Sequence, residues 1–129
     1  MDALTAQSAA LGESVGAWSG LQQAASSGRL RMEPGVAEQC AKHCEDLKHK
    51  LDGHYWNAQS LQIKSGMGDC IIGNAVTEKF NTKATGPTNS LMSVIRQHQQ
   101  VLTQMAQTYR AAGQAFRAQD RDNAAELGG

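Results

Sequence analysis

The stretch 89–125, NSLMSVIRQHQQVLTQMAQTYRAAGQAFRAQDRDNAA, decides the fold. Leu91, Val94, Ile95, His98, Val101, Leu102, Met105, Tyr109, Ala112 and Phe116 recur at three- and four-residue steps, the period at which side chains share one face of a helix. Asn89 or Ser90 supplies the N-cap, because a short polar side chain satisfies a free amide of the first turn. Gln97, Gln99, Gln100, Gln104 and Gln107 read as a neutral solvated face, unsuited to a phosphate backbone. The helix is expected from Asn89 to Ala125, dissolving by Gly128-Gly129.

Working back along the chain, Thr82 to Thr88 with Gly86-Pro87 reads as a loop. Before it, Asp69 is placed to cap a short helix through Val76 to Phe80, with Ile71, Ile72, Val76 and Phe80 as its apolar side. A second long amphipathic helix is expected from Val36 to Ile63. Pro34 suits its first position, since the missing N–H has no helical partner there. Val36, Cys40, Cys44, Leu47, Leu51, Tyr55, Ala58 and Leu61 make one stripe, and Glu38, Lys42, Glu45, Lys48 and Lys50 lie mostly off it. Ser65-Gly66 and Gly68 end it. Over residues 1–28, Leu4, Leu11, Val15, Trp18 and Leu21 keep helical spacing, but Gly12, Gly16 and Gly20 each weaken a helix by about 1 kcal/mol relative to Ala. A marginal helix from about Leu4 to Ala24 is expected.

The fold class is therefore all-α. Two long helices form an antiparallel hairpin, joined by a short connecting helix and preceded by a marginal one. The segments are 1–28, a hairpin domain 29–125 and a flexible tail 126–129. The expected seam is thin, because Cys40, Cys44, Ala58, His98, Met105 and Ala112 are small, soft or polar. The apolar surface left over must meet the N-terminal segment, the middle helix or another chain, so a homodimer or a helical heteropartner is expected.

Twelve basic and twelve acidic residues cancel, which removes the strong field that nucleic acid or anionic lipid would require. No apolar run approaches the ~20 residues of a membrane span, and no Sec-type signal is expected, since no basic stretch followed by an apolar core opens the sequence. No catalytic constellation stands out, and no metal or cofactor is expected. Cys40 and Cys44 are one turn apart with His43 beside them, but paired Cys-x-x-Cys knuckles are absent. The cysteines read first as small buried hydrophobes. A disulfide from Cys70 to Cys44 or Cys40 is the alternative for an exported protein. A Cys–His nucleophile pair with His43 or His98 would lack a third group and an oxyanion hole. His98 reads as a satisfied core histidine, and Gly66-Met67-Gly68 as a turn, since a phosphate loop needs a preceding strand and a Lys-Ser or Lys-Thr pair.

Three features together resemble the type VII (ESX) secretion families of actinobacteria: the helical-hairpin pattern at this length, Trp18-Ser19-Gly20, and Phe116-Arg117-Ala118-Gln119-Asp120. The second matches the Trp-x-Gly signature of the WXG100 family. The third resembles that family's export motif of an aromatic residue, three others and an acid, with Phe116 where Tyr is usual. Met32-Glu33-Pro34-Gly35-Val36-Ala37, Met67 to Phe80 and Tyr109 to Phe116 are similar to ESX-1 secretion-associated (Esp) proteins. The Trp-x-Gly here precedes the first long helix, whereas in the family it occupies the turn between the two. The resemblance implies a protein that acts by binding, as a secreted substrate or a component of a helical complex, leaving by a non-Sec route after residence in the cytoplasm. Phe116 and Asp120 would be read by a type VII secretion ATPase, with Trp18 and Gly20 as the facing notch. The plainer reading makes Phe116 the last core residue and Asp120 a solvated charge. The alternative function is a cytosolic helical adaptor or chaperone-like partner for another secreted cargo.

Overall fold

A computed structural model describes residues 2–62 and 66–128. The described residues form four helices and no strand: α1 (Ala3–Ser26), α2 (Pro34–Gln59), α3 (Ile71–Thr85) and α4 (Leu91–Gly128).

Each start has a local cause. The Asp2 carboxylate accepts from the Thr5 amide at 2.8 Å to cap α1. Glu33 accepts from the amides of Gly35 and Val36 (3.0 and 2.8 Å) with Pro34 at the first position of α2. These contacts satisfy amides that have no partner within the helix. Ser90 and Ser93 cap α4 reciprocally, each hydroxyl accepting from the other residue's amide at 2.9 and 3.1 Å. At the end of α1, Gly28 takes a positive φ of 82°, which glycine adopts without steric cost. The chain then turns into α2.

Both α1 and α2 pack on α4, and their backbones do not approach each other. Cross-helix contacts give the directions. Gln7 meets His98 and Ser19 meets Gln104, so α1 runs parallel to α4. Glu38 meets Arg110 and Asp52 meets Arg96, so α2 runs antiparallel to it. The core is thin and divided: Leu11, Val94 and Val101 form one cluster, and Ala41, Cys44 and Ala106 another. Met105 touches both.

Five sequence expectations are corrected. The seam of α2 is only part of its expected stripe: Cys44 and Ala58, expected there, are buried together with Ala37 and Ala41, which were not, while Val36, Leu47 and Leu61 of the stripe are 40 to 50% exposed. Close approach explains this, since a Cβ built on Gly113 of α4 would lie 3.1 Å from the Ala37 Cβ. The helices meet small face to small face, displacing the larger side chains to one side. The connecting helix is capped by Cys70, not Asp69, and continues through the expected loop to Thr85. Its Ile71, Ile72, Val76 and Phe80 are exposed, because Gly73 and Ala84 are its buried residues. Finally, α4 continues to Gly128 where a flexible tail 126–129 was expected. The expected end of α2 at Ile63, and Ser65, lie outside the described residues.

Candidate functional site

The two sides of the α2–α4 contact differ. On one, Arg110 donates to Glu38 (3.1 and 3.2 Å) and to Glu45 (2.6 Å). Farther along, Arg96 donates to Asp52 at 3.0 Å and stacks over the Tyr55 ring, 3.6 Å from its centroid. Buried Gln99 bridges the helices, its amide donating to the Lys48 carbonyl and to Asp52 at 2.9 and 2.8 Å. The Arg110 hydrogen bonds hold the Glu38 and Glu45 carboxyls below their ordinary range and raise the guanidinium's own pKa. Gln99 and Arg96 lower Asp52 in the same way.

The opposite side is an open apolar groove. One basin of about 450 Å³ is lined by Cys40, His43, Leu47, Leu102, Met105 and Tyr109. A second, of about 400 Å³, continues the same side past Leu51, His54, Leu61, Leu91 and Ile95. Burial raises the Cys44 thiol and the Tyr109 phenol above their usual values, which keeps both neutral.

The candidate residues fall in separate places. Trp18 lies within α1, not in a turn, with its ring 5.8 Å edge-on to Tyr109. Gly20 is exposed, with open space where a Cβ would stand. Phe116 is half-buried on α4, two turns beyond Tyr109, and Asp120 is exposed one turn later. Trp18 is thus packed on Tyr109 rather than on the Phe116–Asp120 pair. Cys40, Cys44 and Cys70 are three free thiols; the pairing of Cys70 with Cys40 or Cys44 is not formed. Cys70 instead turns its sulfur to the Gly73 amide at 3.3 Å. Among the described residues, no three His, Cys, Asp or Glu side chains converge. His98 is half-buried, its Nε2 paired with the Gln7 amide at 3.3 Å.

Gln99 is the residue that the sequence misplaces, since it looks like one more member of a solvated glutamine face. Its burial depends on which side α2 covers. Arg110 carries a signal only in retrospect: Glu38 and Glu45 are seven residues apart, hence on one face and able to share one cation.

No protein-family model, curated protein or solved structure matches the chain. No described helix is long and apolar enough to cross a membrane.

Proposed function

We propose that this chain is a helical binding protein of a type VII secretion system, a substrate or a component of a helical complex, that acts through protein recognition and not through chemistry. One observation carries the reading: α4 outruns the bundle. Pro34 of α2 sits against Gly113, and every residue from Arg117 to Gly128 is exposed. At 1.5 Å per residue, those last turns project roughly 18 Å. Phe116 stands at their foot and Asp120 on the same face one turn outward, within reach of a receptor. In this reading the antiparallel α2 and α4 stand where the WXG100 pattern has its hairpin, and α1 is an addition that seats Trp18. The recognition element in this reading is Phe116 and Asp120 alone, because Trp18 and Gly20 are placed elsewhere.

Export measured in culture filtrate tests this. Asp120→Ala is expected to abolish export while folded protein accumulates in the cell with an unchanged Tm, since Asp120 is exposed and its carboxylate joins no ion pair among the described residues. Phe116→Ala is expected to abolish export at a cost of about 1–2 kcal/mol, below the 3–5 kcal/mol of a fully buried Phe. Normal export of the Asp120 variant sinks the signal. A wild-type chain that stays in the cell bound to an exported neighbour favours the adaptor role.

A further inference from the structure

We propose that Cys40, Cys44 and Met105 form a binding site for a soft monovalent metal cation, Cu(I), in the apolar basin between α2 and α4. The site goes beyond the recognition reading and stands independently of it.

The geometry starts from the helix. Cys40 and Cys44 are one turn apart on α2, where side chains share a face and Cβ atoms stand about 5–6 Å apart. Both are free thiols, and both line the basin of about 450 Å³. Met105 enters the same basin from α4, packed against the cluster that holds Cys44. A charge on Cys40 would be felt at Cys44, and a charge on either at the Tyr109 phenol, so these groups occupy one neighbourhood. Two sulfurs therefore come from one helix and a third from the helix packed on it.

The donor set selects the metal. Thiolate and thioether sulfurs are soft ligands that favour Cu(I), whereas hard cations take oxygen. No carboxylate lines the basin. Glu38 and Glu45 are engaged by Arg110 on the opposite side of the α2–α4 contact. Zinc asks for four ligands in tetrahedral array, and among the described residues no three His, Cys, Asp or Glu converge. The lack of paired Cys-x-x-Cys knuckles thus argues against zinc, but a cation that accepts two thiolates in line does not need them. At a metal–sulfur bond of about 2.3 Å, the value for a zinc thiolate, two sulfurs bridged in line stand about 4.6 Å apart. Side chains one helical turn apart reach that span by choice of χ1 rotamer.

Binding is a proton exchange without redox change. Two S–H bonds break, two Cu–S bonds form and two protons pass to solvent, while copper remains Cu(I). Buried Cys44 and the Met105 sulfur hold the inner side of the ion. Half-buried Cys40 holds the outer side, where solvent meets the single negative charge that remains.

Anaerobic titration of the reduced full chain with Cu(I), in competition with the chromophoric chelator bicinchoninate, tests the site. One equivalent per chain is expected to pass from the chelator to the protein. Cys40→Ser and Cys44→Ala should each lose that equivalent with helical circular dichroism unchanged. Cys40 is only half-buried, so its variant decides the matter even if the Cys44 variant fails to fold. Met105→Leu conserves volume and should weaken binding about tenfold. Cys70→Ser should bind as the wild type does, because Cys70 is exposed at the start of α3. Excess Zn(II) should not displace the copper. A chain that takes no copper from the chelator, a Cys40→Ser variant that binds as well as wild type, displacement by zinc, or an equivalent lost with Cys70→Ser would overturn the proposal. An unweakened Met105→Leu variant would overturn the third ligand. These outcomes are read on purified protein and are independent of the Asp120 export assay, so the two readings fail separately.

Discussion

The two helices that flank α4 hold to it by different means. Helix α2 lays Ala37, Ala41 and Cys44 against Ala106 and Gly113, and then spans the contact with Arg110, Arg96 and Gln99. Helix α1 buries only Leu11 and Ala25, leans Leu4, Val15 and Trp18 on α4, and has open space at Gly12, Gly16 and Gly20. Small faces give a short interhelical distance and a contact intolerant of added volume. Large, partly exposed side chains on a glycine-weakened helix give a contact that yields. The pair α2–α4 is the frame, and α1 is an attached strap.

The contrast is easiest to break at Ala41, which is fully buried. Ala41→Leu forces α2 away from α4 and is expected to cost about 3 kcal/mol in a chemical-denaturation measurement. An effect below about 1 kcal/mol would mean that the small-residue contact is looser than the geometry indicates. The opposite sign is expected in α1. Gly12→Ala with Gly16→Ala should stabilise by about 1–2 kcal/mol, because both sites are helical and have room for a methyl group. Slowed amide exchange confined to α1 would sharpen the distinction between strap and frame.

The smallest effect belongs to the ion pairs. Glu38, Glu45 and Asp52 titrate below their ordinary values of 4.5, 4.5 and 3.8 in the folded protein, so below those values the unfolded chain binds more protons. Their contribution is complete above about pH 5 and is lost as pH falls through the lowered folded values. Arg110→Ala should flatten this acid limb while changing the Tm at neutral pH only slightly, because exposed pairs contribute little there. A steep acid limb in the Arg110 variant would assign it to other carboxylates.

The helices were legible because their causes are local. The three- and four-residue steps, Pro34, and the serine at 90 act within a turn or two of themselves, and the structure places α2 and α4 close to where that pattern puts them. The connecting helix was legible in kind but short in extent, since its run from Asn81 to Thr85 has no apolar signal of its own. Phe116 and Asp120, the proposed recognition residues, were legible as a motif, and their separation from Trp18 was not. A Trp-x-Gly inside a continuous helix has the same letters as one in a turn.

What the sequence determined by itself is that this chain is helical, where its long helices begin, and that it carries more apolar stripe than a two-helix seam absorbs. What only the tertiary structure decided is which face of each helix turns inward. Periodicity defines a stripe but not its partner. The choice went to the smallest residues, because Ala37 and Ala41 against Gly113 let backbones approach closely, whereas Leu47 and Leu61 would hold them apart. That choice buried Gln99, gave Arg110 its two carboxylates and left the bulky stripe of α2 facing outward.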